Sequence, residues 1–109
     1  MNPSIAYLIS DFRRRIPPDL EGRIARIIVF GSRARGDAEE DSDLDIAVLV
    51  DRKDSEIVQM LGDVAYAVMW DHEFKPVISL KVFEEKSFLN AAERGFSFYK
   101  NVLKEGITV

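Results

Sequence analysis

The sequence predicts a single domain of the mixed α/β (α+β) class that spans residues 1–109. Three observations predict it: the length of 109 residues, a hydrophobic fraction of 47%, and the alternation of β-branched runs with segments of helical periodicity. A chain of this length is just large enough to bury a two-layer core without disulfides. Its hydrophobic fraction is too high for a disordered chain. We therefore expect one compact domain.

The first half of the chain predicts two helices and two strands. Apolar residues at helical spacing predict the first helix, which Pro17 and Pro18 end because proline disfavours helix in the residue before it. A polar turn follows, and then two runs rich in β-branched residues predict strands. The predicted elements are, in order, a helix over residues 4–15, a strand over residues 24–30, a short helix over residues 32–38 and a strand over residues 44–50.

The second half predicts a long helix, a third strand and a helical tail. Ser55 has the side chain of a helix N-cap, and Pro76 near the start of the third strand indicates a strand beginning or a sheet edge. The predicted elements are a helix from residue 55 to about residue 70, a strand over residues 74–82, and helices over residues 84–90 and 96–104. An aromatic cluster in this tail fits either the core or a partner surface, and comprises Phe88, Phe96, Phe98 and Tyr99.

Composition excludes several classes of function. There is no cysteine, which removes thiolate metal sites and thiol nucleophiles and fits a cytoplasmic location. No apolar run approaches the roughly 20 residues that span a bilayer, so no membrane association is expected. The net charge of -4 argues against strong nucleic-acid binding, which depends on many lysines and arginines. The single histidine, His72, is predicted at the surface.

Asp43 and Asp45 lie one residue apart at the start of the second predicted strand. Side chains alternate across a strand, so both carboxylates point to the same side, with backbones about 7 Å apart. Two carboxylates that face one site repel each other unless a cation lies between them. Magnesium is the natural candidate because it prefers oxygen ligands and keeps waters and substrate phosphates in its other positions.

The segment between the two strands has the residues of a phosphate-binding turn. Gly31 allows a sharp turn at the end of the strand, and Ser32 offers a hydroxyl and a backbone N–H where a short helix begins. Arg33 or Arg35 can add a charge-assisted contact, although each fits a surface ion pair equally well. Gly36 permits a left-handed exit from the turn. The sequence thus predicts a triphosphate between this turn and the acid pair.

These two segments together resemble the signature of the minimal nucleotidyltransferases of the DNA polymerase β superfamily. The chain carries it as Gly-Ser-Arg-Ala-Arg-Gly at residues 31–36, followed after five residues by Ser-Asp-Leu-Asp at residues 42–45. The resemblance implies a small mixed β-sheet with helices packed mainly on one face. It also implies magnesium-dependent transfer of a nucleoside monophosphate, with Gly31 and Ser32 in the phosphate-binding turn and Asp43 and Asp45 as the metal-binding acids.

The chain departs from that family at one position. Active members generally carry a third carboxylate on the next strand, facing the first two, which deprotonates or orients the attacking hydroxyl. The third predicted strand contains no acid. Glu73 precedes it and reaches the site only if the strand starts early.

The leading hypothesis is a magnesium-dependent nucleotidyltransferase that uses ATP. Its catalytic metal ligands are Asp43 and Asp45, and Gly31, Ser32 and Arg35 hold the nucleotide. Small members of this family occur as antitoxins beside helical proteins of the HEPN class, so the resemblance implies such a partner, which some members adenylylate. An oligomer of the chain itself is the other assembly considered.

Two rival functions remain open. The first is a catalytically weak nucleotide-binding module that neutralises its partner by binding alone, which the absent third acid favours. The second is nucleotidyl transfer to a small molecule such as an aminoglycoside, which is less favoured because such proteins usually add a further domain.

Overall fold

The computed structural model describes residues 1–109 as six helices around a four-stranded sheet. None of the helices is long and apolar enough to cross a membrane. In chain order, the elements are α1 (Pro3–Arg14), α2 (Pro18–Glu21), β1 (Ile24–Phe30), α3 (Ser32–Arg35), β2 (Leu44–Val50), α4 (Ser55–Asp71), β3 (Ile78–Glu84), α5 (Glu85–Glu93), α6 (Ser97–Glu105) and β4 (Ile107–Thr108).

The sheet is mixed and has the strand order β3-β2-β1-β4. β1 is antiparallel to both β2 and β4, whereas β2 and β3 are parallel. A parallel pair requires a crossover connection, and α4 supplies it. The crossover brings the starts of β2 and β3 to the same end of the sheet. The predicted fold class is confirmed.

The two faces of β2 bury different clusters, as the alternation of its residues predicts. Leu44, Ile46, Val48 and Val50 are buried in the larger apolar cluster, to which α1 and α4 contribute. On the other face, Ala47 and Leu49 are buried with Phe88 of α5 and Val102 of α6. The same face carries Asp45, which is half-buried, and Asp43 just before it is exposed. The C-terminal helices therefore cover this face beyond the acids.

Several element boundaries differ from the sequence prediction for local reasons. The predicted polar turn contains α2, which begins at Pro18. The short helix α3 ends at Arg35 rather than at residue 38, because Gly36 adopts the left-handed conformation with φ 87°. The N-cap of α4 is Asp54 and not Ser55, since an oxygen of Asp54 accepts a hydrogen bond from the N–H of Ile57 at 3.0 Å.

The largest boundary error concerns β3, which begins at Ile78 and not at residue 74. After α4 the chain makes a turn in which Glu73 and Phe74 have φ values of 59° and 55°. These left-handed conformations do not continue into a strand. Glu73 is exposed in this turn, so it is not the third acid on the strand. Pro76 precedes β3, which is an edge strand as predicted.

The C-terminal segment contains a strand that the sequence did not predict. Ile107 and Thr108 pair with β1 and complete the sheet. A strand of two residues is too short to show the alternation of apolar and polar residues that predicts a strand. It is recognised only by its pairing with the neighbouring strand. The aromatic residues of the tail differ in their exposure. Phe88 is buried, whereas Phe96 and Phe98 are exposed.

A network of charged side chains connects α1 to the end of α4. Asp11 is 5% exposed and accepts hydrogen bonds from Arg14 and, at 3.0 Å, from Arg15. His72 Nε2 lies 3.2 Å from the other carboxylate oxygen. His72 is half-buried rather than exposed, so the predicted surface position is only partly met. Burial would raise the pKa of Asp11, but the hydrogen bonds from Arg15 and His72 and the charges of Arg15 and Arg14 hold it below its usual 3.8.

We expect Asp11→Asn to lower the free energy of unfolding at pH 7 by about 1–3 kcal/mol, because it removes charged hydrogen bonds of a buried carboxylate. Since the folded-state pKa is depressed, the contribution of Asp11 is complete above about pH 4 and is lost as the pH falls through the folded value. Urea unfolding at a series of pH values measures both effects. The exposed Asp19→Asn is the control, and equal stability of the two variants at pH 7 would contradict the prediction.

Candidate active site

The acid pair and the glycine-serine turn meet where β1 ends and β2 begins. Phe30 and Asp45 are paired across the antiparallel strands, and the turn starts at the next residue, Gly31. Gly31 has φ 73°, and a Cβ atom built on it would overlap the Oδ2 atom of Asp45. Glycine alone satisfies both the backbone conformation and the close approach. The two parts of the predicted site are thus in direct contact.

The turn continues into α3, whose first residue is Ser32. The first N–H groups of a helix have no partner within the helix, so the backbone here presents donors beside Asp45. Arg33 donates hydrogen bonds from Nη2 to the main-chain oxygens of Ser42 at 2.8 Å and Glu40 at 3.2 Å. Its guanidinium therefore holds the loop that leads to Asp43, and Arg33 has a structural contact of its own.

Arg35 lies on the other side of the turn and lines a cleft of about 240 Å³ beside Gly31, together with Phe30, Phe98 and residues of α6. Its guanidinium is 3.4 Å from a carboxylate oxygen of Asp37 and 3.7 Å from one of Glu105. The side chain is 46% exposed. Arg35 is therefore placed next to the turn, as a nucleotide contact requires, but it is paired with two acids.

The neighbouring strand β3 completes the face on which the acids lie. In the parallel register, Asp45 is paired with Ser79 and Ala47 with Lys81. Alternation along β3 places Ser79 and Lys81 on the same side of the sheet as Asp45. No sequence pattern indicates a role for these two residues, because the sequence of neither strand shows that β3 pairs with β2.

The groups around Asp45 shift the pKa of its carboxyl group. Burial raises its pKa above the usual 3.8, and the neighbouring charge of Asp43 acts in the same direction. The charge of Lys81, the hydroxyl of Ser79 and the charge of Arg35 oppose that shift. Lys81 is the strongest of the opposing influences. A cation close to Asp45 and Asp43 would favour the ionised form of both acids.

The donors at this site fit a magnesium ion. Asp45 at the start of β2 and Asp43 just before it supply carboxylate oxygens, and hard cations such as Mg²⁺ prefer such ligands while retaining waters and phosphate oxygens. No three His, Cys, Asp or Glu side chains come together as a metal-binding group anywhere in the chain. The strand position that faces Asp45 is taken by Ser79. The site therefore offers two carboxylates and no third.

Comparison with known proteins assigns the family. Residues 7–107 match the nucleotidyltransferase domain family. The chain belongs to this family. The match extends from α1 to β4, so the nucleotidyltransferase domain accounts for nearly the whole chain and not only for the motif around Gly31 and Asp45.

Two relatives of this nucleotidyltransferase come from Methanocaldococcus jannaschii. One is named "Putative protein adenylyltransferase MJ0141" and is 31% identical over 94 residues, which are 82% of this chain and 92% of the relative. The other is named "Putative protein adenylyltransferase MJ0604" and is 33% identical over 98 residues, which are 90% of each chain.

A solved structure supports the fold of the nucleotidyltransferase domain. It is a chain from a crystal structure of a toxin-antitoxin with AMP-PNP, and it superposes with a TM-score of 0.59 at 19% sequence identity. The match covers 94% of this chain and 69% of the other. At this identity the likeness concerns the fold.

We expect Gly31→Ala to weaken the binding of magnesium and ATP, because the added Cβ atom displaces the carboxylate of Asp45. Isothermal titration with Mg·ATP measures the affinity. Gly36→Ala is the matched control: its φ is 87°, but no atom lies within 4 Å of the added Cβ. Both variants place alanine at a positive φ, which costs about 1–3 kcal/mol at either position, so the temperature of unfolding should fall in both. Equal affinities in the two variants would contradict the role given to Asp45.

Proposed function

We propose that the protein transfers AMP from magnesium-bound ATP to a protein acceptor, and that it acts in this way as the antitoxin of a toxin-antitoxin pair. The observation that carries the proposal is the contact between the backbone of Gly31 and the carboxylate of Asp45. It joins a turn suited to phosphate with an acid pair suited to magnesium. The names of the two archaeal relatives support adenylyl transfer and a protein acceptor.

Each residue of the site has a role in this reaction. Asp43 and Asp45 would hold the ion, which when bound would polarise the α-phosphate and neutralise the charge that develops on pyrophosphate. Gly31 and Ser32 hold the β- and γ-phosphates through backbone N–H groups and the serine hydroxyl. Arg35 is within the same cleft and adds a positive charge for the triphosphate when it exchanges its contacts with acids for a phosphate.

The transfer step is a displacement at phosphorus. An acceptor oxygen forms a bond to the α-phosphorus, and the bond from that phosphorus to the oxygen bridging to the β-phosphate breaks. Pyrophosphate leaves with the electron pair. The hydroxyl proton of the acceptor passes to water, because the position that faces Asp45 on β3 carries Ser79 and not a carboxylate. This loss of a general base slows the reaction by about 100-fold to 10,000-fold relative to a site that has one.

The proposed acceptor is the toxin itself, a helical protein of the HEPN class. The fold-level likeness to a chain from a toxin-antitoxin structure with AMP-PNP supports an assembly of this kind. An exposed aromatic surface offers a place for a partner. Tyr66 and Trp70 of α4 lie edge to face with each other, as do Trp70 and Phe74, and Trp70 is 61% exposed.

The alternative function is that of a nucleotide-binding module that neutralises the partner by covering it. Ser79 at the position facing Asp45 favours this alternative, because a site without a base binds nucleotide and turns it over slowly. Nucleotide binding uses Asp43 and Asp45 for the ion in both functions. The functions differ in whether neutralisation of the partner requires these two acids.

Incubation of the protein with ATP labelled at the α-phosphate, magnesium and the toxin encoded beside it distinguishes the two functions. We expect label on the toxin with the wild-type protein, and none with Asp43→Asn combined with Asp45→Asn. Asp41→Asn, an exposed acid of the loop before the site, is the control and should retain labelling. Toxin activity is measured in the same samples. Neutralisation by the double variant without labelling would support the binding module and reject the transferase.

A further inference from the structure

Ser79 and Lys81 form the part of the site that lies on β3. Both face the same side of the sheet as Asp45, one beside it and the other one pair further along. Lys81 is exposed and Ser79 is half-buried. The lysine stem is long enough to carry its ammonium group toward the acids, since four methylene groups separate the charge from the backbone.

The charges on this face do not suit two divalent cations. Two carboxylates are present, and Lys81 places a cationic side chain on the same face of the sheet as Asp45, one pair further along β3. A second cation would lie beside this ammonium group, and Ser79 would be the protein ligand left for it on β3. Mg²⁺ requires near-octahedral oxygen ligands and is usually held through at least one carboxylate.

We propose that this site binds one divalent cation, through Asp43 and Asp45, and that the ammonium group of Lys81 occupies the place of a second cation and contacts the triphosphate. The inference rests on the proposed binding of ATP. Lysine binds phosphate as a point charge, without a fixed geometry. One ion and one ammonium group together supply the positive charge that the triphosphate requires.

Ser79 has a positioning role in this arrangement. It is paired with Asp45 across the parallel strands and lies on the same face of the sheet, and its hydroxyl adds no negative charge. A carboxylate at this position would attract Lys81 away from the triphosphate or bring in a second ion. The neutral hydroxyl keeps Asp45 oriented toward the first ion while Lys81 remains available to the phosphates.

The number of bound ions tests the inference. Manganese replaces magnesium, and electron paramagnetic resonance counts bound Mn²⁺ in the presence of α,β-methylene ATP, whose α–β bridge is not cleaved. We expect one Mn²⁺ per protein in the wild type and in Lys81→Gln, with the affinity of Lys81→Gln for the nucleotide at least about tenfold lower because a charged contact is lost. Lys86→Gln, an exposed lysine of α5, should leave both quantities unchanged.

The double variant Ser79→Asp with Lys81→Gln should bind two Mn²⁺ per protein, because it adds a carboxylate and removes the ammonium group. Two ions in the wild type, or an unchanged nucleotide affinity in Lys81→Gln, would overturn the inference and leave the proposed function standing. Failure of the wild type to bind Mn²⁺ with the nucleotide would overturn both. If the double variant does not fold, the wild type and Lys81→Gln still decide the question.

Discussion

The close approach of the Asp45 carboxylate to the backbone of Gly31 is the constraint on which the site depends. It exists only in the register that pairs Phe30 with Asp45 across β1 and β2. A shift of one residue would turn Asp45 toward the larger apolar cluster and expose its neighbour Ile46. Burial of the apolar face of β2 therefore holds the chemical groups of the other face in place.

The sequence contained enough to predict the local half of this arrangement. The strands before and after the turn and the left-handed Gly36 follow from patterns within a few residues, and the structure has them. The rest depends on contacts between distant segments. Ser79 lies at the site because β3 is parallel to β2 and pairs it with Asp45. His72 is half-buried, with its Nε2 atom beside the carboxylate of Asp11. Neither pairing produces a periodic pattern in the sequence from which it could be predicted.

The enzyme and the binding module differ by little in physical terms. Both need the turn, the acid pair and an ion, and all of these lie on β1, β2 and the loop between them. What separates them is the chemistry of the next strand. In the proposed site, a hydroxyl at Ser79 and an ammonium group at Lys81 would favour retention of the nucleotide over activation of the acceptor. The rate of the proposed transfer would then depend on how well the partner presents its own hydroxyl.

Because β3 lies at the edge of the sheet, its residues at the site can change without changes in β1 and β2. One side of this strand has no neighbouring strand, and Lys81 points away from the larger core. Substitutions at such positions disturb packing little. If Ser79 and Lys81 have the proposed roles, substitutions at these two positions of one edge strand would change the rate of transfer while the β1–β2 unit stays the same.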